Sequence, residues 1–213
     1  MVMFLDWITR SGLCTSLADL SISTNYSTPA PTPLNRLLET TGASLTRFDE
    51  DHYGLDPWPH GNLLHNTNLQ TLDFRLYRIT HDDKSQRRPS HAAWTEATRE
   101  LHGVFSSIRS RRLEHIEVAV GIQVMHSTLE PAQPNDVLEK LDLRDLHDVM
   151  SQPYFDTLNE VGVEMTLGFG DGHTKSHEDS SGQKLEAMVY GILQPWSARG
   201  IVTVTWGHGY ALM

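Results

Sequence analysis

A short apolar rhythm recurs along this chain and limits the folds open to it. Leu17-Ala-Asp-Leu20-Ser-Ile22-Ser-Thr-Asn25 fits L-x-x-L-x-L-x-x-N in full. Leu69-Gln-Thr-Leu72-Asp-Phe74-Arg-Leu76, Leu113-Glu-His-Ile116-Glu-Val118-Ala-Val120 and Leu158-Asn-Glu-Val161-Gly-Val163-Glu-Met165 repeat the first three beats and extend them. Leu45-Thr-Arg-Phe48 is a weaker copy, because Glu50 stands at its third apolar position. GIVTVTW at 200–206 reads as a sixth strand whose lead-in is out of frame by about one residue. Apolar residues at every second position belong to a strand with one buried face. Ahead of the beats, apolar residues recur at three and four, the spacing of one helical face. These helical segments are Phe4–Leu13, Leu34–Thr41, Asn62–Asn66, Trp94–Ile108, Leu143–Met150 and Leu185–Leu193. Helix then strand, repeated without hairpin signals, predicts a parallel sheet.

The first leucines, Leu17, Leu45, Leu69, Leu113 and Leu158, are 28, 24, 44 and 45 residues apart. The first two steps match the leucine-rich-repeat period of roughly 20–29 residues. The longer steps carry polar inserts at 80–93 and 126–136, and another at 168–184 precedes the last unit. Their Pro, Ser, Asp and Gly content reads as exposed loop. One helix–strand unit cannot bury its apolar stripe alone, whereas stacked units share a continuous core. The expected fold is therefore α/β: an irregular leucine-rich-repeat-like solenoid with a parallel sheet and helices on its outer face. It forms one repeat domain, 1–213, with units at roughly 1–26, 34–53, 60–79, 92–121, 141–167 and 184–206. The competing expectation is an ordinary doubly wound α/β domain. The absence of a glycine-rich strand-to-helix turn weakens its nucleotide-binding form.

If the beat residues point inward, their neighbours point outward. The outward set is Asp19, Ser21, Ser23; Arg47, Asp49, Asp51; Thr71, Asp73, Arg75; His115, Glu117, Ala119; and Glu160, Gly162, Glu164. It holds seven carboxylates against two arginines. Stacked side by side they would make one acidic concave surface, and a field of one sign selects partners of the other. Asp19, Asp49, Asp73, Arg75, His115, Glu117, Glu160 and Glu164 are the candidate partner-binding residues, for a basic protein segment. A one-residue slip in register would move them all to the opposite face. His115 would make such binding pH-sensitive.

The whole chain has the same sign, with 17 basic residues, 27 acidic ones and a formal net charge of −10. This argues against nucleic acid or an anionic membrane as partner. The single cysteine, Cys14, excludes a disulfide framework within the chain and points to an intracellular compartment, cytoplasmic or nuclear. Cys14 is expected to be a small buried hydrophobe. Asp6 and Arg10 interrupt the apolar N-terminus, which therefore lacks the core of a signal peptide.

Catalytic signatures are missing. There is no G-x-S-x-G elbow, no P-loop and no H-E-x-x-H. The twelve histidines are scattered and read as surface residues. DGHTKSHED offers Asp171, His173, His177, Glu178 and Asp179, and His173 and His177 have i, i+4 spacing. The flanking Gly172 and Ser180-Ser181-Gly182 argue for a solvated loop there and against a metal site. No metal, cofactor or catalytic residue is expected. A small compact α/β enzyme using the Asp171–Asp179 loop is the alternative. Trp7, Trp94 and Trp196 are expected to pack helices against the core.

RRLEHIEVAVGIQV, LEKLDLRDLHDVMSQPYFDTLNEVGVEM and PWSARGIVTVTW together resemble the C-terminal region of the F-box/leucine-rich-repeat-like proteins abundant in mushroom-forming fungi. Leu141, Asp142 and Leu146 carry the resemblance, followed by the link Pro153, Phe155, Leu158 and the closing Arg199-Gly200-Ile201. It spans roughly residues 60–206. The resemblance implies a protein-recognition scaffold, the substrate-binding part of an F-box-type ubiquitin ligase receptor. Such proteins open with an F-box that docks a ligase adaptor. No Leu-Pro-x-Glu-like opening is present here, so an adaptor is implied as a partner only through a divergent F-box.

Overall fold

Every copy of the apolar rhythm is a strand. The computed structural model describes residues 7–24, 31–52, 60–81, 90–124, 134–169 and 175–208. Its strands are β1 Asp19–Thr24, β2 Arg47–His52, β3 Thr71–His81, β4 His115–Val124, β5 Glu160–Phe169 and β6 Val202–His208. The helical segments are α1 at residues 7–10, then α2 Pro31–Thr41, α3 Ser90–Ser107, α4 Pro134–Leu138, α5 Arg144–Met150, α6 Lys175–Ile192 and α7 Gln194–Ser197. Short 3-10 turns fill Leu13–Ser16, Gly42–Ser44 and Pro153–Phe155.

The fold is α/β, with one six-stranded sheet in the order β1-β2-β3-β4-β5-β6 and every neighbouring pair parallel. Strand succession along the chain is strand succession in space, with no reversal of the kind a doubly wound sheet has.

Beat aligns on beat. Leu20, Phe48, Leu72, Ile116, Val161 and Val202 form one row across the sheet. Ile22, Glu50, Phe74, Val118, Val163 and Val204 form the next. A forked hydrogen bond holds this register at each early step. The Ala18 carbonyl accepts from the N–H groups of Thr46 and Arg47, and the Thr46 carbonyl from Gln70 and Thr71. Gln70 accepts in turn from Glu114 and His115, and Glu114 from Asn159 and Glu160. The first beat leucines Leu45, Leu69, Leu113 and Leu158 are fully buried beneath it. Together with α3, α5 and α6 they form one continuous core.

The last unit departs from the rhythm. Counting back from the Val161–Val202 pair puts Arg199 where Leu158 stands in β5's unit. Arg199 donates to the carbonyls of Phe155 and Leu158, at 3.0 and 2.7 Å. Gly200 follows with φ +73°, a conformation open to glycine. The apolar bulk comes instead from Trp196, which is buried between the rings of Phe105 and Phe155 and donates its indole N–H to the Met150 carbonyl.

Four sequence expectations need correction. Asn62–Asn66 is a run of turns, not a helix. Asn62 Oδ1 accepts from the Leu64 N–H, and the Asn66 amide donates to the Leu38 and Gly42 carbonyls at the end of α2. Asparagine side chains offer the backbone a local alternative to helix. The three inserts are not all loop: β3 runs to His81 and α3 starts at Ser90 within 80–93, α4 starts at Pro134 within 126–136, and β5 runs to Phe169 and α6 starts at Lys175 within 168–184. Gly182 does not break that helix. It lets α6 approach β6 so closely that a Cβ there would lie 2.7 Å from the Trp206 ring. Trp7 is 59% exposed, because the turn of α1 directs Ile8, not Trp7, toward Cys14 and Leu37. The fourth concerns His60 and is taken up with the site. Cys14, Trp94 and Trp196 are buried as expected.

Candidate functional site

The face of the sheet opposite the core carries the predicted polar set in the predicted register. One row runs Asp19, Arg47, Thr71, His115, Glu160. The next runs Ser21, Asp49, Asp73, Glu117, Gly162, Thr203. Arg75, Ala119, Glu164 and Thr205 make the third, and the Arg75 Nε–H donates to Asp51 Oδ1 at 2.6 Å across β2 and β3. All eight candidate partner-binding residues, Asp19, Asp49, Asp73, Arg75, His115, Glu117, Glu160 and Glu164, share this face at half-buried or exposed positions.

The charge is unevenly distributed. On β2 and β3 both arginines are engaged: Arg47 with Asp73 at 2.9 Å and Arg75 with Asp51. Ser21 donates its hydroxyl to Asp49 Oδ2 at 2.7 Å. On β4 and β5 the outward positions hold Glu117, Glu160 and Glu164 with no lysine or arginine among them. The one basic side chain there is His115, with Nδ1 3.4 Å from Glu160 Oε2 and Nε2 3.8 Å from Glu117 Oε2.

Gly162 shapes this half. A Cβ on it would fall 1.9 Å from Glu117 Oε2, so the Glu117 carboxylate lies in the space a side chain would fill. Partial burial raises the pKa of Glu117. His115 pulls the other way, and the charges of Asp73, Glu164 and Glu160 add to the rise.

A second polar cluster lies on the core side. Glu50 occupies the third beat of β2 between Ile22 and Phe74, with its side chain 4% exposed. The His60 Nδ1 is 3.2 Å from Glu50 Oε2, and its Nε2 is 2.7 Å from Glu100 Oε1 of α3. The Gly61 N–H also donates to Glu50 Oε2. His60 is 8% exposed, and its ring meets Phe74 edge-on. This corrects the surface reading of the histidines. Burial alone would lower its pKa, but hydrogen bonds to Glu100 and Glu50, reinforced by their charges, push it up to about 9. At neutral pH His60 is an imidazolium donating from both nitrogens. The cluster is a charged staple that ties β2 to α3 through His60. The signal for it in the sequence was Glu50 at an apolar beat, since a buried carboxylate needs a partner.

Asp171 and His173 lie outside the described residues, and His177, Glu178 and Asp179 lie in the first turns of α6. Among the described residues no three His, Cys, Asp or Glu converge to hold a metal ion, and no helix is long and apolar enough to cross a membrane. No family model matches the chain, and neither a curated protein nor a solved structure matches it.

Proposed function

We propose that this chain is a protein-recognition scaffold of leucine-rich-repeat-like type, a binding module and not an enzyme, whose outward sheet face takes a basic segment of another protein. Helix–strand units stacked in sequence order, with beat residues in register and a repeated carbonyl fork, support the repeat reading. A repeat sheet offers an extended face for a partner. The observation that carries the partner's chemistry is the charge of that face: seven carboxylates against two arginines, both arginines already paired with aspartates. A basic segment complements the surplus, whereas nucleic acid and anionic lipid are repelled by it. The resemblance noted above favours reading it as the substrate-recognition part of an F-box-type ubiquitin ligase receptor that acts inside the cell.

The test is a binding titration with fluorescent peptides of opposite charge. The native chain should bind a lysine- and arginine-rich peptide with an affinity that falls as salt is added. Reversing Asp73, Glu117 and Glu160 to lysine should abolish that binding and create affinity for a glutamate-rich peptide. Equal binding of the basic peptide by native and reversed chains would sink the proposal.

A further inference from the structure

Arg109, Arg111 and Arg112 precede β4, and Arg199 precedes β6. The strands are parallel neighbours, so the segments leading into them lie along one edge of the sheet. The link at 153–158, before β5, joins the two groups. Arg109 lies over the Tyr154 ring, 5.3 Å from its centroid. The Thr157 hydroxyl donates to the Arg111 and Leu113 carbonyls, and Arg199 donates to those of Phe155 and Leu158. This edge is charged against the sign of the chain. Residues 109–114, 153–158 and Arg199 hold four arginines against two carboxylates, Glu114 and Asp156, in a chain of formal net charge −10.

The edge arginines also differ from others in how they are used. Arg47, Arg75, Arg99 and Arg144 are each paired with a carboxylate. Among the described residues none of the four edge arginines is, and the exposed Arg111 and Arg112 side chains make no hydrogen bond. At the β6 end of the edge a cleft of about 470 Å3 opens, lined by Ser151, Asp156, Trp196 and Arg199 among others. Asp156 and Arg199 share the cleft without pairing, and the two carbonyls leave part of the Arg199 guanidinium without a partner among the described residues.

We propose that this edge is a docking surface for an acidic protein segment, whose carboxylates lie along Arg111 and Arg112 and place one side chain in the cleft at Arg199. The proposal does not rest on the basic partner assigned to the outward face. A guanidinium matches a carboxylate in charge and in planar geometry, so unpaired arginines select such a segment. The edge is narrow, because His115 and Glu160 begin the acidic face directly beside it. A flexible peptide keeps its carboxylates on the edge. A nucleic-acid strand or an anionic lipid surface also meets the neighbouring glutamates.

Fluorescence anisotropy with a labelled hexaglutamate peptide tests this, at an ionic strength of about 0.15 M where the distant negative charges are largely screened. The native chain should bind. Arg111→Glu with Arg112→Glu should weaken binding about tenfold or more, as expected when two exposed pairs become repulsive. Arg99→Glu with Arg144→Glu changes the net charge equally at exposed sites off this edge and should leave the affinity within about twofold. Ser151→Tyr, at an exposed position, fills the cleft and should weaken binding about threefold. Thermal melts would confirm that each variant folds. The proposal is overturned if hexaglutamate does not bind, if both double variants lose affinity alike, or if a six-nucleotide single-stranded RNA binds as tightly as the peptide. An unchanged affinity in Ser151→Tyr would remove the cleft from the surface. None of these outcomes bears on the binding of basic peptides by the outward face.

Discussion

Glu50 stands where β1, β3, β4 and β5 carry Ile22, Phe74, Val118 and Val163, all buried apolar side chains. A carboxylate there is tolerated because His60 and Glu100 complete a hydrogen-bonded triad around it. The cost of taking two carboxylates and one imidazolium out of water is offset by short, charge-assisted contacts. This arrangement makes stability depend on pH in a definite direction. The folded-state pKa of His60, about 9, is above its ordinary value of 6.5. The folded chain therefore favours the protonated ring, and the stabilisation is complete below the unfolded value. It is lost as pH rises from 6.5 through about 9, by about 3 kcal/mol as an order of magnitude. Urea unfolding across that range should show the decline, and His60→Gln should flatten it while costing about 3–5 kcal/mol below neutrality. A native stability that is level between those pH values would show that His60 is not the charged centre of the triad. The sequence carried half of this feature: the anomalous beat at Glu50 was visible, but its partners were not. His60 and Glu100 are 10 and 50 residues away along the chain, and no local spacing joins them.

Strands were the most legible elements, because alternation is a short-range pattern and each strand here buries one face. Helix limits were less legible. The first turns of α6 read as loop because Ser181 and Gly182 are turn residues by composition. In the fold Ser181 is buried and Gly182 is the contact point for Trp206, so tertiary packing sets their conformation. The outward face was legible residue by residue once the register was right, since side chains alternate. The pairing of Arg47 and Arg75 with aspartates was not, because it depends on which strands are neighbours. The closing unit shows a different substitution of parts. Arg199 replaces a beat leucine and ties the link before β5 to the turn before β6 through the Phe155 and Leu158 carbonyls. The Arg-Gly pair and the Pro153–Leu158 link, read from the sequence as separate signatures, are thus two sides of one contact. Arg199→Ala should destabilise the chain by about 1–3 kcal/mol, because two carbonyls lose a charged donor. Arg199→Lys should recover only part, since an ammonium does not reproduce the planar fork of a guanidinium. Equal unfolding midpoints for Ala, Lys and native chains would show that the contact contributes nothing.

At the scale of the molecule, stability should be graded across the sheet. Each strand pairs only with its sequence neighbours, so the interior strands are supported from both sides and β1 and β6 from one. Length adds to this: β3, β4 and β5 have 11, 10 and 10 residues, against six each for β1 and β2 and seven for β6. At the β1 end Leu17 and Leu20 are only partly buried, and Cys14 and Leu37 form a small cluster apart from the main core. Local opening there breaks few contacts, whereas opening β4 disrupts the core around Phe105, Phe155 and Trp196. The glutamate-rich half of the face thus lies on the most firmly held strands, the setting a binding surface needs if its charges are to stay in register. Hydrogen exchange should follow this order, with amides of His115–Val124 and Glu160–Phe169 slowest and those of Asp19–Thr24 fastest among the strands. Leu113→Ala, which empties a buried site at a cost of about 2–5 kcal/mol, should lower protection chiefly in β4 and its neighbours β3 and β5. Ile22→Ala should lower it in β1 and β2 alone, because the damage need not pass beyond the next unit. Uniform protection from β1 to β6, or a global response to Ile22→Ala, would mean that the sheet opens as one cooperative block. The picture of units coupled only to their neighbours would then be wrong.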